Sequence, residues 1–132
     1  MTEKKVAVCT GAGRPGGLGE AILRRFSEEG YRLVVTDVDG SGTDHLAQLD
    51  EMASVAESLR SQGADVLSQP CDVRSAESVK QLFNAVMEHF GRVDVLINNA
   101  GIGFVMKDTR EVSPDEWNLV IDVTLSLSLI HI

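Results

Sequence analysis

Segment 10–19, Thr-Gly-Ala-Gly-Arg-Pro-Gly-Gly-Leu-Gly, follows the apolar stretch Val6, Ala7, Val8 and Cys9. Its residue types admit a phosphate to bare backbone. A dinucleotide pyrophosphate must approach the main chain closely and rest on the first free N–H groups of a helix, where any Cβ would intrude. Gly11, Gly13 and Gly16 spell Gly-x-Gly-x-x-Gly, a weak pattern in isolation that gains force from its place between a predicted strand and a predicted helix. The next predicted strand ends at Asp37, where a carboxylate can accept hydrogen bonds from an adenosine ribose. The same carboxylate repels the additional 2′-phosphate of NADP, so Asp37 favours NAD. Arg14 on the glycine turn is the opposing feature, because a guanidinium can pair with that phosphate.

Four short runs rich in valine and leucine, 5–9, 31–36, 65–68 and 92–97, alternate with stretches of helical periodicity. In the first of these, Leu18, Ile22 and Phe26 predict an apolar face, with Glu20, Arg24, Arg25 and Glu28 turned elsewhere and Gly30 as the stop. In the second, Leu46, Leu49, Ala53, Ala56 and Leu59 form the face and Gly63 closes it. In the third, Val79, Phe83, Val86 and Phe90 recur at spacings of about four, with Ser75 as N-cap and Gly91 as stop. Strands apolar through both faces imply a parallel sheet covered by helices on either side. Right-handed crossovers then favour strand order 3-2-1-4, with the glycine turn near the topological switch point. Past the fourth strand, Ser113, Pro114, Asp115 and Glu116 open a helix through Trp117, Val120, Ile121 and Thr124. Gly40, Ser41 and Gly42 read as a surface loop rather than a domain linker.

The 132 residues suit one domain, and 43% hydrophobic with 24% charged content is ordinary for a globular protein. A formal charge of −8 disfavours nucleic acid as a partner, since phosphate-backbone binding needs clustered Lys and Arg. No apolar run approaches the roughly 18 residues that suggest a membrane span, and segment 1–5 leads into a strand rather than a signal sequence. A cytoplasmic location without membrane association is the expectation. Cys9 and Cys71 lie in no metal-binding or CxxC spacing and read as buried thiols of a reducing compartment. His45, His89 and His131 are scattered, so no metal site is expected.

Taken in order, four landmarks resemble the short-chain dehydrogenase/reductase family, and the resemblance runs to about Thr124. Thr10-Gly11 with Gly17-Leu18-Gly19 is similar to the family's TGxxxGxG turn, Asp37 ends the second strand, Asp72-Val73 follows the third, and Asn98-Asn99-Ala100-Gly101 ends the fourth. The resemblance implies a Rossmann-like doubly wound α/β fold, truncated here after the fourth strand and its following helix. It implies that Gly11, Gly17, Leu18 and Gly19 cradle the pyrophosphate and that Asp72 and Val73 contact the adenine. Asn98, Ala100 and Gly101 would hold the strand-end loop against the cofactor. Two departures stand out. The glycine turn carries two additional residues between Gly11 and Gly17, and Thr124 stands where the family commonly has an asparagine in a proton relay. A threonine hydroxyl can hydrogen-bond but offers no amide; an ordinary helix residue is an equal reading.

The family's reaction uses a Tyr-x-x-x-Lys pair, in which the lysine lowers the tyrosine pKa, with a serine polarising the substrate carbonyl. Tyr31 is the one tyrosine, Val35 stands four positions later, and no lysine follows Lys107. No catalytic residue is assigned to this chain. The expectation is therefore the N-terminal part, 1–126, of an NAD-dependent oxidoreductase that moves hydride between nicotinamide and an alcohol or carbonyl substrate, inactive alone. The resemblance also implies a homo-oligomeric parent. A short nucleotide-binding regulatory module without catalysis is the alternative. An uncovered fourth strand favours the first reading and predicts a marginal, self-associating chain. Segment 127–132 is expected to be non-native: it back-translates to a sequence resembling a transposon-end adaptor, although a serine- and leucine-rich native helix face has the same composition. Substrate contacts fall mostly beyond the fourth strand, where Gly103, Phe104, Val105 and Met106 are candidate lining or simply cover the sheet end.

Overall fold

The computed structural model describes residues 4–38, 49–101 and 108–123. Four strands, β1 (Val6–Cys9), β2 (Arg32–Asp37), β3 (Val66–Pro70) and β4 (Val95–Ile97), form one sheet in the order β3-β2-β1-β4. All three pairings are parallel, with Val8 opposite Val34 on one side and Leu96 on the other. Helices α1 (Leu18–Glu28), α2 (Leu49–Ser61) and α3 (Ala76–Phe90) connect successive strands, and α4 (Pro114–Ile121) follows β4 after a short 3-10 turn, Thr109–Glu111. The predicted class and strand order are those observed. The chain turns from β1 toward β2 and β3, then crosses back to place β4 on the opposite flank, so the switch point lies between β1 and β4.

Alternation along the strands divides the core between two layers. Val6, Val8 and Val34 point to one face and pack with Leu82, Val86 and Phe90 of α3. Cys9, Leu33 and Val35 point to the other, against Leu23 of α1 and Met52, Val55, Ala56 and Leu59 of α2. Each fully buried Val or Leu stabilises the fold by roughly 1.5–3 kcal/mol. Burial on both faces explains why these strands read as continuous apolar runs.

The helix faces differ from expectation in register. Leu18 is 69% exposed, whereas Glu20, expected to face away, is buried beside Gly19 and Leu23. The cause is Gly19, whose bare backbone lets α1 press against Ala12 and so sets the rotation of the helix. In α2 the buried set is Met52, Val55, Ala56 and Leu59, and Ala53 is exposed, because the larger Met52 and Val55 bury more apolar surface. In α3, Leu82 joins Val86 and Phe90 in the core, while Val79 and Phe83 are half-buried. The caps are where the sequence places them. Ser75 Oγ accepts the Ser78 N–H and Gly91 closes α3, while Ser113 Oγ accepts the Glu116 N–H at 3.1 Å with Pro114 at the first helical position.

Among the described residues no helix is long and apolar enough to cross a membrane. Gly40, Ser41, Gly42, His45, Leu46, Gly103, Phe104, Val105, Met106, Thr124, His131 and the segment 127–132 lie outside the described residues, as does the Leu49 side chain.

Candidate functional site

At the carboxyl edge of the sheet, the glycine turn is wedged between the ends of β2 and β4. The Thr10 N–H donates to the Ile97 carbonyl and the Ala12 N–H to the Thr36 carbonyl, each at 3.1 Å. The Asn99 amide then staples the β4 end to the turn, its Nδ2 donating to the carbonyls of Thr10 at 3.1 Å and Gly11 at 3.2 Å. Thr10 Oγ1 completes the lock by accepting the N–H groups of Asn99 and Ala100, at 3.2 and 3.0 Å.

Two glycines make this approach possible. At Gly11, φ is +66°, and a Cβ would stand 2.6 Å from the Ala100 Cα. At Gly19, a Cβ would stand 2.7 Å from the Ala12 Cα and 3.0 Å from Asn99 Nδ2. The turn, the start of α1 and segment 98–101 therefore pack backbone against backbone.

Gly17 is the N-cap of α1 and supplies no side-chain acceptor to the first turn, where the positive end of the helix dipole lies. The lengthened part of the turn is braced from within the chain. Glu20 Oε2 accepts the Gly16 N–H at 2.8 Å, Glu20 Oε1 pairs with Arg24 at 2.7 Å, and the Gly17 N–H donates to the Arg14 carbonyl at 3.1 Å.

Asp37, at the end of β2, grips the same turn. Its Oδ2 accepts the Gly13 N–H at 2.9 Å and its Oδ1 the Val38 N–H at 2.8 Å. Beyond β3, the Asp72 N–H donates to Ser78 Oγ at 2.9 Å, its carboxylate faces the Arg74 guanidinium, and Val73 is buried. Burial, and secondarily the negative charge of Asp37, pushes the Cys9 thiol up to about 12. Burial likewise raises Cys71. Both shifts disfavour the reactive thiolate.

The fold brings Gly11, Gly17, Gly19, Asp37, Asp72, Val73, Asn98, Ala100 and Gly101 to one edge of the sheet, with Leu18 exposed at the mouth of α1. Asn98 and Gly101 are exposed, and it is Asn99, assigned no role from sequence, that ties β4 to the turn. Glu20 also braces the turn, although the periodicity of α1 puts it on the solvent side. No group of three or more His, Cys, Asp or Glu side chains suited to a metal occurs among the described residues.

A parallel sheet in this order, with a glycine turn and a helix start without a side-chain cap beside its switch point, defines a doubly wound α/β protein. The profile of the short chain dehydrogenase family matches residues 5–131, and the chain belongs to that family. An uncharacterized oxidoreductase of Thermotoga maritima is 40% identical over 128 residues, 96% of this chain and 44% of that protein. A metagenomic short-chain oxidoreductase solved in complex with NADP superposes with a TM-score of 0.77 at 30% identity, covering 97% of this chain and 52% of the other. Carveol dehydrogenase from Mycobacterium avium, solved with NAD, shares the fold with a TM-score of 0.81 at 24% identity, over 97% of this chain and 47% of its own. The chain thus spans about half the length of the proteins it matches.

Proposed function

We propose that this chain is the cofactor-holding portion of an NAD-dependent oxidoreductase acting on an alcohol or carbonyl substrate. The observation that carries the reading is the backbone-to-backbone packing of Gly11 on Ala100 and Gly19 on Ala12, beside a helix start without a side-chain cap. Donors in that arrangement suit a pyrophosphate. Gly11, Gly17, Leu18 and Gly19 would form the cradle, and Asp37 would accept the adenosine ribose hydroxyls. Asp72 and Val73 would meet the adenine, and Asn98, Ala100 and Gly101 would line the approach to the nicotinamide. The nicotinamide, when bound, supplies or accepts the hydride.

Asp37 supports NAD over NADP. Its carboxylate is held in place by the Gly13 and Val38 N–H groups, so it cannot swing away from a 2′-phosphate without releasing the turn. Two buried free thiols, Cys9 and Cys71, fit a reducing, cytoplasmic setting. The family's Tyr-x-x-x-Lys pair does not occur in this sequence, so the residues present bind and orient the cofactor without moving the proton of the reaction. Equilibrium dialysis of NADH against the 132-residue chain, paired with NADH-oxidation assays on a panel of ketones, tests both halves. Saturable binding without turnover is expected; turnover would overturn the assignment of catalysis to residues outside this sequence.

A further inference from the structure

The loop between β3 and α3 holds one side chain that the reading above leaves without a task. Arg74 wraps back onto Asp72 through three donors: its main-chain N–H and Nε each reach Oδ1 at 3.0 Å, and a terminal guanidinium nitrogen reaches Oδ2 at 2.9 Å. The main chain of Asp72 is already fixed, its N–H by Ser78 Oγ at 2.9 Å and its carbonyl by the Ser75 N–H at 3.0 Å. The Arg74 side chain adds a two-bond fork that bears on the orientation of the carboxylate plane.

Magnitude separates orientation from stability. The two side chains are 38% and 37% exposed, and a pair so open to water contributes little to folding. Fork geometry, in contrast, fixes direction as well as distance. Hydrogen bonding to Asp72, supported by the charges of Asp72 and Asp122, holds the Arg74 pKa above its ordinary value against the opposing effect of burial. The guanidinium therefore stays charged beside Asp72.

We infer that Arg74 is a positioning residue for adenine recognition: by clamping the Asp72 carboxylate it aims an acceptor at the 6-amino group of the adenine, giving selectivity for that amine. This inference rests on the proposed contact between Asp72 and adenine. A lysine could not replace it, since an ammonium lacks the planar fork.

The test compares NADH with its analogue bearing hydrogen in place of the adenine 6-amino group, by fluorescence titration of the 132-residue chain and of Arg74→Ala, Arg74→Met and Asp72→Ala. The wild type should prefer NADH by about tenfold, the scale of one hydrogen bond to a charged acceptor. Both Arg74 variants should narrow that preference to about twofold through weaker NADH binding alone, with the analogue's affinity unchanged. Because the readout is a ratio, partial loss of folded protein does not mimic it. Equal losses for both ligands, or no change in the ratio, would overturn the role of Arg74 while leaving Asp72 in place. A wild type that does not discriminate, or an Asp72→Ala variant that still does, would overturn the adenine contact itself and this inference with it.

Discussion

The carboxylate of Asp37 accepts the backbone N–H of Gly13 at 2.9 Å, so the residue proposed to meet the ribose is also a brace for the phosphate turn. One side chain therefore couples two halves of the site. Removing it should loosen the turn for every dinucleotide while lifting repulsion against only one of them.

For Asp37→Ala, affinity for NADH should fall, and the NADPH-to-NADH affinity ratio should rise by roughly tenfold as the charge opposing the 2′-phosphate is lost. Calorimetric titration of both cofactors reads the ratio. No relative gain for NADPH would sink the NAD assignment.

Gly11→Ala should destabilise the fold by roughly 2–5 kcal/mol, the sum of a left-handed backbone penalty and overpacking against a neighbour that is itself main chain. That neighbour is the Ala100 Cα, 2.6 Å from the added methyl. Gly16→Ala has a similar φ of +75° but nothing within 4 Å of a Cβ, so it should cost only about 1–2 kcal/mol. Urea denaturation of the two variants measures the difference. Equal losses would show that Gly11 is needed for its backbone angle alone.

Acid should weaken the hold of Asp94 on the start of β1. Its carboxylate takes the Val6 N–H at 2.8 Å and a fork from Arg92, and those Arg92 hydrogen bonds first, then the Val6 N–H, hold it below the usual carboxylate range. A carboxyl with a depressed folded pKa contributes stability above its unfolded pKa and loses it as pH falls through the folded one. Asp94→Asn should therefore melt below the wild type at pH 7, with the gap closing in strongly acidic buffer. A gap that stays constant with pH contradicts the ion pair.

Cys9 should resist alkylation in the native state. Burial, and secondarily the charge of Asp37, raises its thiol to about 12, so far less thiolate is present at pH 8 than in an ordinary cysteine, and the side chain is fully buried. Iodoacetamide labelling followed by mass spectrometry before and after urea unfolding checks this. Rapid native labelling at Cys9 would contradict its burial.

Much of this architecture was legible because period-two and period-four patterns answer to different geometries. Val6 and Val8 alternate with Ala7 and Cys9 across a sheet buried on both sides, and Ser75 and Ser113 announce their helices through cap chemistry that acts within four residues. What stayed hidden depends on contacts distant in sequence. The rotation of α1 follows from Gly19 meeting Ala12, which turns Glu20 inward and Leu18 outward, and no periodicity within the helix records that contact. Asn98 and Asn99 are neighbours of identical type. Past the end of β4, Asn99 reaches Thr10 and Gly11 while Asn98 remains exposed, a difference that residue type does not encode.

The most direct test is calorimetric titration of NADH into the 132-residue chain and into Gly11→Ala, with circular dichroism on both samples to establish that each is folded. Saturable binding at one NADH per chain, lost in the folded Gly11→Ala variant, is the predicted result. A folded wild-type chain that takes up no NADH at millimolar concentration would contradict the cradle proposed for Gly11, Gly17, Leu18 and Gly19.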